Sequence, residues 1–274
     1  MARLIFILLI FFLHHSNGQS ISKLLGAKAS GMGYAVTTTH DEWSVFNNIA
    51  GIASTKEFYS GASYEVRPAS VSGNRLGALA CAPLSFGVLG LGVFRFGDDL
   101  YNEQIISLGF ANKIGNTSLG ARASYIQYRA EGYGSHGIIG FDFGGITKLT
   151  NQLYIGAWIQ NLNQPKLNFN NKEKAPIKLF VAIGFMPSEK FTIVTELEKD
   201  ILYPVLWKTG MEYIIHKKIF ARVGFNINPN AFFAGIGFQG WRIKIDYSLQ
   251  SFTQLAATHQ ASASYRISKI KPKK

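Results

Sequence analysis

One cysteine, eight prolines and a charged fraction of only 16% are the scarcities of this 274-residue chain. A single thiol, Cys81, excludes an internal disulfide and any thiolate metal cluster, and reads as a buried, inert side chain. So few prolines leave room for uninterrupted strands. Apolar runs long enough for a spanning helix are also missing. Leu4–Leu13 offers about ten residues where a helix needs roughly 17–25. With Met1-Ala2-Arg3 before it and Ser16-Asn17-Gly18 after it, that run predicts a signal peptide over residues 1–18 and a mature start at Gln19. Gly77–Phe94 lacks charge, but its four glycines and Pro83-Leu84-Ser85 predict a hairpin, since helix interiors resist so much glycine.

Catalytic and metal-site patterns are lacking as well. His40, His136, His216 and His259 are dispersed, and His136 beside Ser135 is the one pair that invites a surface-hydrolase reading. No spacing matches a nucleophile–base arrangement or a metal ligand set, so no catalytic residue, metal or cofactor is expected. Gly31-Met32-Gly33 lacks the lysine and the strand–loop–helix setting of a phosphate loop. The net charge of +12 is scattered along the chain, which argues against a nucleic-acid stripe. Only Lys269, Lys271, Lys273 and Lys274 cluster, predicting a solvated basic tail over residues 268–274, on the periplasmic side.

What the chain has is glycine, aromatics and alternation. Glycine numbers 28, and phenylalanine with tyrosine makes 33. In Trp241-Arg242-Ile243-Lys244-Ile245-Asp246-Tyr247-Ser248 every second residue is apolar, which a strand separates onto two faces and a helix cannot. The pattern recurs in fourteen runs between Lys56 and Ile267. Tight turns, near Leu84–Ser85, Gly115–Asn116 and Gln239–Gly240 for example, alternate with longer gaps such as Arg67–Gly73, Gly97–Asn102, Arg129–His136 and Leu162–Ala175. An even count of antiparallel strands with turns at one end and loops at the other predicts an all-β, 14-stranded transmembrane barrel over residues 56–267. Runs of about ten residues suit a tilted bilayer crossing better than a soluble sandwich. Trp241, Tyr247, Tyr125, Tyr128, Tyr213 and Phe238 are expected at the interface belts. The opposite face predicts a charged lumen: Arg122, Glu196, Glu198, Lys208, Glu212, Arg222, Arg242, Lys244, Asp246 and Arg266.

Residues 19–55 do not alternate. They are rich in small residues yet carry Met32, Trp43, Phe46 and Ile49, too apolar for disorder, and predict a plug in the lumen. Thr39 and Glu42 are spaced as a capping box.

Two stretches carry a family resemblance. Gly26-Ala27-Lys28-Ala29-Ser30-Gly31-Met32-Gly33-Tyr34-Ala35 is followed by Asp41-Glu42-Trp43 and Asn47-Asn48-Ile49-Ala50-Gly51. Near the end come Asp246-Tyr247-Ser248, Thr258-His259-Gln260 and Ser264-Tyr265-Arg266-Ile267. Together they resemble the PorV/PorQ-like outer-membrane barrels of Bacteroidota, related to the long-chain fatty-acid transporter FadL. The chain departs at Ile49, where that group has proline, and at Ile267, where barrels usually end on an aromatic residue. The resemblance implies a plug motif at Gly31, Met32, Gly33, Asn48, Ala50 and Gly51. It also implies residence in a Gram-negative outer membrane, in contact with its lipid. Two non-enzymatic roles follow. The first is an accessory or carrier subunit of an envelope export complex of type IX secretion kind, with other envelope proteins as partners. The second is a transporter of small hydrophobic molecules, with an apolar pocket between plug and wall and a lateral opening.

Overall fold

A computed structural model describes residues 23–67, 73–167, 174–252 and 256–267. The expected signal peptide, the lysine tail and part of the 161–177 connection lie outside the described residues. Fourteen antiparallel strands form a closed barrel in which each pairs with its sequence neighbours and β1 pairs with β14. They are β1 Phe58–Val66, β2 Arg75–Leu84, β3 Gly87–Gly97, β4 Tyr101–Ile114, β5 Thr117–Ala130, β6 Gly134–Lys148 and β7 Leu153–Gln160, then β8 Lys178–Ser188, β9 Phe191–Asp200, β10 Leu206–His216, β11 Ile219–Ile227, β12 Ala231–Gln239, β13 Ile243–Phe252 and β14 Thr258–Ile267. Closure removes the unpaired edges that an open sheet would expose.

The strand count and the turn/loop alternation match the sequence reading, and Gly77–Phe94 is the β2–β3 hairpin. Two details differ. β4, β5 and β6 run 14, 14 and 15 residues, beyond the expected ten. Their extension consumes the connections after β3 and β5, which shrink to residues 98–100 and 131–133. The longest gap is 161–177, as expected.

Alternation divides the wall as the pattern requires. On β6 Ile139, Phe141 and Phe143 are exposed while Ile138, Gly140, Asp142 and Gly144 face inward. The exposed apolar side chains need hydrocarbon around them, whereas the inward set needs partners. Trp241, Tyr213, Tyr125, Phe238 and Tyr247 lie on the outer face. Tyr128 does not: it points inward and packs on the interior apolar cluster, because its even position on β5 shares a face with Ile126.

Candidate functional site: the occupied lumen

Residues 24–54 lie inside the barrel. They comprise a five-residue α-helix, Ala27–Gly31, and two 3₁₀ turns, Glu42–Val45 and Ile49–Ser54, nearly all buried. Its own hydrogen bonds close only short turns, and its side chains and backbone pack on the wall. Two features of the wall receive it.

The first is a belt of inward-facing glycines. A Cβ on Gly156 would sit 2.7 Å from the Thr37 carbonyl oxygen, on Gly90 2.8 Å from Val45, and on Gly120 2.9 Å from the Ala50 nitrogen. At Gly109 it would meet the Ile49 side chain, at Gly210 the Met32 carbonyl and at Gly224 the Gly33 nitrogen. Such approaches are closer than any side chain tolerates, so glycine is what lets segment and strand backbones touch.

The second is a set of buried ion pairs. Arg122 bonds Asp142 at 2.6 Å and donates to the Val45 carbonyl at 2.5 Å. Lys208 bridges Glu196 at 3.0 Å and Glu198 at 2.7 Å, while Glu196 accepts the backbone N–H groups of Val36 and Thr37, both at 2.9 Å. Arg222 holds Glu212 and Asp246, each at 2.6 Å. Lys244 meets Glu42 at 3.0 Å, and Ser264 donates to the same carboxylate at 2.5 Å. Charges removed from water are costly unless paired, and here most pairs also grip the segment.

The expected site residues fall into three groups. Arg122, Glu196, Glu198, Lys208, Glu212, Arg222, Lys244 and Asp246 face the lumen. Arg266 sits at the turn-end rim, 3.1 Å from Glu57. Arg242 is a correction: β13 begins one residue later, so Arg242 is exposed in the preceding turn, stacked 4.4 Å over Trp241 and donating to the Tyr265 hydroxyl. The plug-motif residues come together. Gly31, Met32 and Gly33 rest on β10–β12, and Asn48 accepts from the Ala50 N–H while donating to the Thr37 carbonyl at 2.8 Å. A Cβ on Gly51 would strike Ser44 and the Thr39 carbonyl. The capping box does not form: Asp41 occupies the cap position, and Glu42 is drawn away by Lys244 and Ser264.

Sequence reading missed a further network. Glu65 binds Arg75 at 2.8 Å and Arg67 at 2.7 Å, and the Tyr34 hydroxyl, with its single proton, lies 3.3 Å from acceptor oxygens of both Glu65 and Gln260. It also missed the glycine belt, although a signal was present. Arg75/Gly77, Gly120/Arg122, Asp142/Gly144, Lys208/Gly210 and Arg222/Gly224 each put a charge and a glycine two residues apart, hence on one face.

Ionisation within the segment follows these contacts. Burial pushes the Lys28 ammonium down, yet Glu212 and Asp41 outweigh it and leave it above its ordinary value. Burial pushes the Asp41 carboxyl up, but Lys28 and Lys244 hold it below the usual range. Burial, then Glu65, raises the Tyr34 hydroxyl to about 12. At the turn end Lys28, Asp41, Glu42, Arg222 and Lys244, together with Trp43, Phe220 and Phe238, line a cavity of about 60 Å³.

Apolar contacts dominate on the other side. Leu25, Phe46 and Ile49 of the segment pack on Leu79 and Val88, and above them, towards the loop end, lie inward Phe94, Phe96, Ile105, Ile126 and Ile138. Leu167 and Ala175 of the 161–177 connection join that cluster. Beside it the wall changes character. β6–β7 pairing stops at Phe143–Ile159, and beyond it the β6 edge is met by the Leu162 N–H, which donates to the Phe141 carbonyl, and by the Asn163 side-chain amide, which bonds Phe141 and Ile139. On the outer face next to this seam, a groove of about 460 Å³ runs over Ala121 and Ala123 between Leu108, Phe110, Phe141 and Phe143.

The arrangement defines a class: a closed 14-stranded barrel of outer-membrane type with its own N-terminal segment in the lumen. No protein-family model and no curated protein matches the chain in sequence. Solved structures do match in shape. The CymD monoaromatic hydrocarbon channel aligns with a TM-score of 0.71 at 12% identity, covering 92% of this chain and 100% of its own. The Ralstonia pickettii toluene transporter TbuX aligns at 0.73 with 12% identity over 90% and 99%, and the Pseudomonas putida toluene transporter TodX at 0.66 with 11% identity over 88% and 97%. The chain therefore has the barrel fold of these channels and transporters, the FadL-like fold implied by its two ends. At such identity the likeness concerns fold alone, and none of it bears on PorV/PorQ membership or on Bacteroidota.

Proposed function

We propose that this protein is a non-enzymatic outer-membrane conduit for small hydrophobic molecules. The observation that carries the reading is the inward apolar cluster of Phe94, Phe96, Ile105, Ile126 and Ile138 towards the loop end of a lumen that also holds buried ion pairs. Apolar side chains facing inward near the external opening offer a water-immiscible solute a place to leave the external medium. Turns face the periplasm and loops face outward in this reading, the usual arrangement for such barrels.

The lumen segment then acts as a plug that blocks straight passage. Release is lateral, through the β6–β7 seam, where backbone pairing gives way to Asn163 and Leu162 and the outer groove begins. The three shape neighbours, described as a hydrocarbon channel and toluene transporters, support this choice over the secretion-accessory role, which the comparisons do not favour.

The test is uptake of radiolabelled toluene by proteoliposomes. Saturable uptake is expected, with a loss of tenfold or more in Ile138→Arg. A disulfide between Phe141→Cys and Leu162→Cys, in a Cys81→Ala background, should abolish release while leaving binding intact. Equal uptake by wild type, Ile138→Arg and empty liposomes defeats the proposal.

A further inference from the structure

The positive charge that looked dispersed in sequence is gathered at one end of the barrel. Lys113 lies by the β4–β5 turn, Lys148 ends β6, Lys190 is in the β8–β9 turn, Lys217 and Lys218 form the β10–β11 turn, and Arg242 precedes β13. Lys56 and Arg266 sit at the β1–β14 seam of the same rim. Against these eight stand two acids, Glu57 and Glu189, and Glu57 is taken up by Arg266. At the loop end the described charges come closer to balance, with Arg67, Arg95, Arg129, Lys166, Lys174, Lys178 and Lys199 set against Glu65, Asp98, Asp99, Glu131 and Asp200.

All of these turn-end cations but Lys56 lie next to, or in one turn with, an apolar residue. Ile114, 66% exposed, follows Lys113, and Leu149, 51% exposed, follows Lys148. Phe191 follows Lys190, and Ile215 and Ile219 flank Lys217–Lys218. Trp241, 77% exposed, stacks under Arg242. A rim that sets greasy beside cationic side chains at every turn but β2–β3, where Leu84 and Phe86 stand without a cation, matches the boundary between hydrocarbon and headgroups. A docking patch for an acidic protein would have no need of apolar groups in every turn, nor of cations spread over so many turns.

We infer that the turn-end rim is a binding surface for anionic phospholipid headgroups, which the barrel gathers around itself in the adjoining leaflet. Exposed apolar residues fix the depth of the turns, and the cations then lie level with lipid phosphates. Attraction of basic side chains to an anionic surface falls off within a Debye length, so the effect is sensitive to salt.

The full-length protein in mixed phosphatidylcholine–phosphatidylglycerol nanodiscs allows a direct test, with spin-labelled lipids reporting the boundary layer. Phosphatidylglycerol should be preferred roughly two- to fivefold over phosphatidylcholine at low salt, with the preference lost in molar salt. The variant K113Q/K190Q/K217Q/K218Q should lose it, while R95Q/R129Q/K166Q/K199Q at the loop end should keep it. Equal occupancy by the two lipids in the wild-type protein overturns the inference and leaves an acidic protein as the partner to pursue. So does an equal loss in both variants. The wild-type salt series decides the matter even where a variant does not fold.

Discussion

Replacing Glu196 by alanine should free the lumen segment without opening the barrel. Glu196 is 1% exposed, and one of its oxygens accepts both the Val36 and Thr37 N–H groups at 2.9 Å. A hydrogen bond to a charged acceptor contributes about 1.5–3 kcal/mol, so losing two costs roughly 3–6 kcal/mol locally. Lys208 retains Glu198 at 2.7 Å and is not left unpaired. At about 1.4 kcal/mol per factor of ten, amide exchange at Val36 and Thr37 should accelerate by about 10²–10⁴. Hydrogen exchange of the detergent-solubilised protein, read by mass spectrometry over residues 30–45, measures this. Glu198→Gln is the control, because Glu198 touches Lys208 and Lys178 but no backbone of the segment. Heat-modifiable mobility on gels reports whether the barrel stays closed. Unchanged exchange in Glu196→Ala, or exchange that rises equally across the strands, refutes the idea that this carboxylate tethers the segment.

Gly120→Val should expel the segment from its seat, since the added Cβ would lie 2.9 Å from the Ala50 nitrogen; overpacking of this kind costs about 1–3 kcal/mol and should appear as protease cleavage within residues 36–54. Arg122→Met should destabilise by about 3–5 kcal/mol in urea unfolding, because it strands Asp142, and adding Asp142→Leu should recover much of the loss. Acid should loosen the same segment. The folded-state value of Asp41 lies below its ordinary 3.8, so its stabilising contribution is complete above that value and is lost as pH falls through the lower one. Protease sensitivity should therefore rise below about pH 4, and Asp41→Asn should already show it at neutral pH.

The barrel was legible because its two faces meet different solvents. Lipid on one side and paired charge on the other force a period of two that survives fourteen times over, and β13 displays it in eight consecutive residues. Lumen contacts were harder to read, since they depend on which strands lie opposite the segment. Nothing local to Glu65 announces Arg75 and Tyr34 as partners, which only the β1–β2 register and the segment's path bring together. Inward Ile126, Ile138 and Val194 break the polar rule because they meet the segment or its apolar neighbours instead of water. Arg242 has the parity of inward Lys244 and Asp246, but β13 begins at Ile243, so Arg242 lies past the strand end in the turn and is exposed over Trp241. Thr39 and Glu42 have capping-box spacing, but a lysine two hundred residues away competes successfully for the carboxylate.

The β1–β14 pairing from Phe58–Ile267 to Val66–His259 carries a consequence for biogenesis. The occupant of the tube is continuous with β1, the strand that the last-made strand must find. Whatever zips those two edges together also encloses residues 24–54 within the cylinder. The chronology of insertion is thereby constrained: the stretch must already be seated, or must thread a finished hoop. A chain lacking that stretch could still zip, but would enclose a hollow lined with glycine, wide open to water.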